Sequence, residues 1–164
     1  MNTDPKIVIV TGGFDPIHAG HIELIRNAAS LGDILIVGAN SDAWLERKKG
    51  RAFMRFEDRS IILGELKCVH DVIAFDDSDG SAKDAILQVR KQYPNNKIIF
   101  ANGGDRTKNN IPEMDIVDSN LEFAFEVGGS NKLNSSSWIL EEWKTPKMIR
   151  QWGYYRVLDD KIGY

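Results

Sequence analysis

The stretch Thr11-Gly-Gly-Phe-Asp-Pro-Ile-His-Ala-Gly-His21 lies between an apolar run, Ile7 to Val10, and an amphipathic run that opens at His21. The adjacent glycines, Gly12 and Gly13, permit a tight turn and a close backbone approach to a ligand. His18 and His21 flank Gly20, where the periodicity places the start of a helix. Helix-start amides attract anions, and two imidazoles can add donors above them. Glycine turn, histidines and helix start fall in one register, which points to a phosphate. A metal centre would need more ligands, and neither a cysteine nor a third histidine stands nearby. The competing reading is a strand-to-helix turn with two incidental histidines.

Downstream, Ile22, Ile25 and Ala29 recur at helical steps, as do Leu24, Ala28 and Leu31, and Gly32 closes the run. A second apolar run, Ile34 to Gly38, follows at once. Continuous apolar runs mark strands buried on both faces. Strand, helix and strand at this spacing make a βαβ unit, whose crossover is expected to be right-handed. Further strands are expected at Asp71–Phe75, Lys97–Ala101 and Leu121–Val127. The spacing predicts helices from Phe56, with Ile62, Leu66 and Val69 inward, from Ala82 to Gln92, and through Trp138 and Trp143. The expected fold is therefore α/β: a Rossmann-like open parallel sheet with helices on both faces. Ligands in such sheets collect beyond the carboxyl ends of the strands, where the glycine–histidine stretch lies.

A chain of 164 residues fits one domain with a proper core. The net charge of −3 argues against a broad nucleic-acid surface. Cys68 stands alone among apolar neighbours, so it reads as a core residue without a disulfide. No signal peptide or membrane span is evident, and a reducing cytoplasm is the expected compartment.

Four polar stretches could serve the phosphate. The basic Arg47-Lys-Lys-Gly-Arg51 is expected in a loop after the second strand. Such runs are usually solvated, but this one neighbours the phosphate stretch and could close over it. Asp76-Asp-Ser-Asp79 lacks the spacing of a calcium loop and reads as an exposed turn capping the next helix. In Asn102-Gly-Gly-Asp-Arg106 the glycines again permit close approach, while Asp105 either positions polar groups of a ligand or forms an Asx turn. Ser135-Ser-Ser137 offers an N-cap, with hydroxyls and first-turn amides that suit a phosphate.

Gly13-Phe-Asp-Pro-Ile-His18-Ala-Gly-His21 resembles the G-x-F-D-x-x-H-x-G-H signature of the cytidylyltransferase-like nucleotidyltransferases. The resemblance runs from about Lys6 to about Glu142. It is nearest in kind to glycerol-3-phosphate cytidylyltransferase and the nucleotidyltransferase domain of the ADP-heptose synthesis protein, whose "GGD" Gly103–Asp105 repeats. It implies transfer of a nucleoside monophosphate from CTP or ATP to a phosphate monoester, such as glycerol 3-phosphate or a sugar 1-phosphate, with release of pyrophosphate. It implies catalytic roles for His18, His21 and a basic-cluster lysine, Lys48 by one count and Lys49 by another. Nucleotide contacts are implied for Gly12, Gly13, Phe14, Asp15, Gly20, Gly104, Asp105, Ser135 and Ser136. Asp15 would orient its loop, and Arg59 would be a structural or phosphate-side contact. Mg²⁺ bridging the triphosphate with few protein ligands, and a homodimer, are further implications. The chain departs from the glycerol-phosphate enzymes where their R-T-E-G-I-S-T-T run carries an arginine; Lys132 is the nearest cation here.

The nucleotidyltransferase domain is expected over residues 1–144, with a tail over 145–164. Ile149-Arg-Gln-Trp-Gly-Tyr-Tyr-Arg-Val-Leu158 resembles the opening of a cupin domain, which suggests a fused or missing second domain and sugar-phosphate metabolism. Two alternatives stay open: an adenylyltransferase for a cofactor precursor, and a nucleotide-binding regulatory module without catalysis.

Overall fold

A computed structural model describes residues 4–129 and 135–145. Lys132 and the cupin-like stretch 149–158 lie outside the described residues.

The expected strands form a five-stranded parallel sheet in the order β3-β2-β1-β4-β5. These are β1 (Ile7–Gly12), β2 (Ile34–Ala39), β3 (Asp71–Ala74), β4 (Ile98–Ala101) and β5 (Leu121–Ala124). β1 is central, pairing from Ile7 with Ile34 on one side and with Ile98 on the other. The chain winds outward from β1 through β2 to β3, then returns to lay β4 and β5 on the opposite side. The point of reversal lies between β1 and β4, where a crevice opens at the strand ends.

The two-faced burial of β1 follows from its alternation. Val8 and Val10 point to one face with Ile25 and Ala28 of α1 (Ala19–Ala29) and Leu63 of α3 (Phe56–Gly64). Ile7 and Ile9 point to the other, with Ala85, Ile86 and Val89 of α4 (Lys83–Gln92). Each residue of the run has a helix to meet, which is why the stretch contains no polar position. Helices thus cover both faces, as expected. Cys68 is partly buried and packs against the first of these clusters.

Three local expectations are corrected. The basic cluster is not in a loop: Arg47, Lys48 and Lys49 form the last turn of α2 (Asp42–Lys49), and Gly50 caps it at φ 93°. Cations favour a helix C-terminus, and glycine takes that φ without strain. Ser41 caps the other end, its hydroxyl accepting from the Trp44 amide at 3.0 Å. Helix α3 stops short of Leu66 and Val69, and Ile62, although within it, does not face inward. It ends at Gly64, its inward positions are Arg59 and Leu63, and Ile61 and Ile62 are exposed. Asp77, expected in an exposed turn, is buried; it accepts from the Ser41 amide at 2.8 Å and the Ser41 hydroxyl at 2.6 Å. It thereby ties the loop after β3 to the start of α2.

The remaining elements are a 3₁₀ turn, Pro112–Asp115, and α5 (Ser136–Lys144), which matches the helix expected through Trp138 and Trp143. Among the described residues no helix is long and apolar enough to cross a membrane.

Candidate active site

A cavity of about 230 Å³ opens at the carboxyl ends of the central strands. Its walls come from the segments that follow β1, β2, β3 and β4: Gly12 to Phe14, then Asn40, Trp44 and Lys48, then Gly80 to Ala82, then Asn102, Gly103, Asp105 and Arg106. His21 and Leu24 of α1 complete it.

Helix α1 begins immediately after His18, and the two histidines cap it reciprocally. His18 takes extended backbone angles, and its Nδ1 accepts from the Gly20 amide at 3.1 Å. His21 Nδ1 accepts from the His18 amide at 3.3 Å. This is a capping box built from imidazoles rather than from serine and glutamate. It corrects one expectation: the Gly20 amide is already satisfied by His18 and is not a bare anion donor. The same bonds fix the tautomers. With Nδ1 an acceptor on each neutral ring, the proton sits on Nε2, which makes Nε2 a donor. The rings stack with centroids 3.8 Å apart. Phe14 meets His21 edge-on at 5.1 Å.

The His21 pKa is lowered from 6.5 to about 4, chiefly by burial, with the electrostatic influence of His18 and then of Lys49 acting in the same direction. At neutral pH His21 is therefore an uncharged Nε2–H donor.

The turn before α1 is held from beneath. Phe14 adopts φ 49°, a left-handed conformation costly for a non-glycine residue, and its ring is buried. A Cβ at Gly13 would stand 2.9 Å from Leu45 Cδ2, so any larger residue there makes the Leu45 side chain move. Asp15 is buried, and its carboxylate accepts from the amides of Phe53 and Met54, each at 2.7 Å. It also pairs with Lys49 Nζ at 3.0 Å, and Lys49 bonds the Asp15 carbonyl as well. Asp15 thus fastens the loop after α2 onto the glycine–histidine turn.

The two lysines are separated by this geometry. Lys48 lines the cavity and lies over the Trp44 ring at 4.5 Å, whereas Lys49 points to Asp15. Arg59 is fully buried and does not line the cavity. Its guanidinium donates to the carbonyls of Met54, Gly13 and Asn40 at 3.0, 2.9 and 2.8 Å, and to Asp42 at 2.6 Å. It joins the loops after β1 and β2, which is the structural half of the expectation.

After β4, Asp105 lines the cavity, but Gly103 rather than Gly104 forms the wall. Ser135 caps α5, accepting from the Trp138 amide at 3.1 Å, and the Ser136 hydroxyl donates to the Pro16 carbonyl at 2.8 Å. The positive end of α5 is thereby fastened to the glycine–histidine turn, although neither serine lines the cavity. Sequence reasoning passed over Asn40, Asn102, Ser81 and Arg106. The two asparagines are buried at strand ends, a signal visible in hindsight as polar residues terminating apolar runs.

Among the described residues no group of three or more His, Cys, Asp or Glu side chains is arranged to hold a metal ion.

Residues 9–144 match the cytidylyltransferase-like family. The bifunctional protein HldE of Pelobacter propionicus is 32% identical over 143 residues, covering 84% of this chain and 28% of that protein. HldE of Helicobacter pylori strain Shi470 is 38% identical over 110 residues, covering 63% of this chain and 24% of that one. The chain thus spans about a quarter of the length of these curated relatives. Among solved structures, a lipopolysaccharide core biosynthesis protein from Thermoplasma volcanium superposes with a TM-score of 0.57 at 21% identity, covering 74% of this chain and 96% of that one. A bifunctional NMN adenylyltransferase/ADP ribose pyrophosphatase from Francisella tularensis gives 0.61 at 16% identity, over 86% of this chain and 43% of that one. At those identities the structures speak to the fold, and they agree with the parallel sheet described above. With the family matched across most of its length, the chain belongs to the cytidylyltransferase-like nucleotidyltransferases.

Proposed function

We propose that the chain transfers a nucleoside monophosphate from CTP or ATP to a phosphate monoester, of the glycerol 3-phosphate or sugar 1-phosphate kind, and releases pyrophosphate. The observation that carries this reading is the stacked His18–His21 pair, each ring turned by its own Nδ1 bond so that Nε2 is the donor. Such a pair suits the non-bridging oxygens of a phosphate, and Lys48 lines the same cavity as His21.

An oxygen of the acceptor monoester attacks the α-phosphorus, forming the new P–O bond. The bond from the α-phosphorus to the bridging oxygen breaks, and pyrophosphate leaves with the electron pair. The acceptor is already ionised, so no side-chain nucleophile or base is needed. Catalysis is then positioning and charge stabilisation. His18 and His21 donate to phosphate oxygens, Lys48 supplies a full positive charge, and Ser135 and Ser136, at the start of α5 beside the glycine–histidine turn, hold the distal phosphates where these extend beyond the cavity. A Mg²⁺ ion fits this cavity as a companion of the triphosphate rather than as a protein-held ion, because the described residues offer no ligand cluster of their own. When bound it neutralises phosphate charge, and the protein's task is to hold the phosphates around it.

The test is pyrophosphate release with CTP and ATP, each paired with glycerol 3-phosphate and a set of sugar 1-phosphates in the presence of Mg²⁺. Turnover is expected for a matched pair and is lost in His18→Asn. Tight nucleotide binding without release for any pair would favour the regulatory module instead.

A further inference from the structure

The loop after β4 places Arg106 on the cavity wall, beside Asp105. Behind Arg106 stands Glu113, from the 3₁₀ turn, with 1% of its surface exposed. One of its oxygens, Oε1, accepts from the Ala82 amide at the start of α4 at 2.6 Å. The other, Oε2, is buried without a hydrogen-bond partner and lies 3.9 Å from Arg106 Nη1. That separation is an ion pair but too long for a hydrogen bond.

A buried carboxylate oxygen left unsatisfied is costly, and it is retained where a charged partner faces it. Arg106 is that partner, yet its side chain is 42% exposed. It therefore spans from the buried Glu113 to the cavity. A guanidinium presents five donors in a planar fork, so one edge can face Glu113 while another faces a ligand.

The proposed transfer brings two anions together, a triphosphate and a monoester dianion. Two like-charged ligands at contact distance need cations between or behind them. On the cavity wall, Lys48 and His21 come from α2 and α1, beside the glycine–histidine turn. Arg106 comes from the loop after β4, on the opposite side of β1 from the strand that leads to α2. Asp105, adjacent to it, is unsuited to a phosphate but is a good acceptor for a hydroxyl.

We propose that Arg106, backed by Glu113, binds the phosphate of the acceptor, and that Asp105 beside it takes a hydroxyl. This rests on the transfer reading and assigns the acceptor's phosphate and hydroxyl to the loop after β4. Arg106 is then an acceptor-binding residue and Glu113 a positioning residue.

The experiment separates the two ligands. The protein is saturated with α,β-methylene CTP or ATP, which cannot be cleaved between the α- and β-phosphorus. Inorganic phosphate, glycerol 3-phosphate and glucose 1-phosphate are then titrated by calorimetry. Wild type is expected to bind phosphate on top of the nucleotide. Arg106→Ala should weaken that binding on the order of 10- to 100-fold, the loss expected for one charge-assisted contact. Its nucleotide affinity should change by less than about threefold, and Arg106→Lys should fall between. Glu113→Gln keeps an acceptor for the Ala82 amide, and its effect on phosphate binding should vanish in the Arg106→Ala background. Unchanged phosphate binding in Arg106→Ala, a loss that falls on the nucleotide instead, or no phosphate binding above the nucleotide in wild type would each overturn the inference. A wild type that binds no nucleotide would fail at the first step and refute the transfer reading itself.

Discussion

Arg59→Met tests whether one buried cation holds the loops after β1 and β2 together. Methionine keeps much of the apolar stem and removes all four guanidinium contacts. Asp42 is partly exposed and can rehydrate, which limits that part of the loss. The Asn40 carbonyl gains least relief, because Asn40 is itself buried, and the half-buried Gly13 carbonyl gains only part. Two charge-assisted bonds at roughly 1.5–3 kcal/mol each, less the relief of no longer burying a guanidinium, leave a net loss of about 3 kcal/mol. For a chain of this size that lowers the melting temperature by roughly 6–12 °C. Urea midpoints at constant m-value would measure it. Arg59→Lys should recover less than half, since one ammonium cannot reproduce the fork. A loss below about 1 kcal/mol in Arg59→Met would show that the loops are held by other means.

Acidification should act through His21. Its folded pKa, about 4, lies below the unfolded 6.5, so between these values the unfolded chain binds the extra proton. Stability from this group is full above pH 6.5, falls as pH falls, and by pH 4 the loss approaches roughly 3 kcal/mol. His21→Asn removes the titration, so the difference between the two pH profiles isolates it; parallel profiles would refute the depressed pKa. The lysines should divide by phenotype. Lys48→Ala should cost under about 1 kcal/mol of stability, yet weaken nucleotide binding and turnover by at least tenfold. Lys49→Ala strips the counter-charge from buried Asp15 and should cost about 1–3 kcal/mol in urea denaturation. Equal effects in both assays would contradict the separation.

Much of the fold was legible because a doubly covered parallel strand writes itself as an unbroken apolar run. Ile7–Val10 and Ile34–Val37 have no polar position to misread. The glycine–histidine turn was legible for a similar reason, as its chemistry is local. Arg59 was not, because its partners are backbone carbonyls of Gly13 and Asn40, contributed by other elements. Phe56-Glu-Asp-Arg59 reads as a solvated helix start, and nothing in its spacing encodes distant carbonyls. Lys48 and Lys49 were indistinguishable until the cluster was known to be helical. A step of one residue then turns the side chain by about 100°, which sends one lysine to the cavity and the other to Asp15. Arg106 and Glu113 escaped because their pairing depends on how the 3₁₀ turn docks against α4. The corrected burial of Asp77 has the same origin, since its partner Ser41 belongs to another loop.

His18 caps α1 and, in the proposed transfer, presents Nε2 to a phosphate, and alanine would abolish both at once. Asparagine separates them. It ranks among the best N-cap residues, and its side-chain oxygen can stand where Nδ1 now accepts from the Gly20 amide. It is also shorter than imidazole, so nothing reaches the position of Nε2. His18→Asn should therefore stay within about 0.5 kcal/mol of wild type in urea, whereas His18→Ala loses about 1 kcal/mol with the cap. Both should lose turnover by about 100- to 1000-fold, the range for removing one donor to developing charge. The stacking with His21 adds a check. In His18→Asn the shorter amide no longer covers that ring, and the His21 pKa should rise as its burial is reduced and the influence of the neighbouring imidazole is removed. An asparagine variant that keeps wild-type turnover would reduce His18 to a helix cap, and the transfer mechanism would then have to rest on His21 and Lys48 alone.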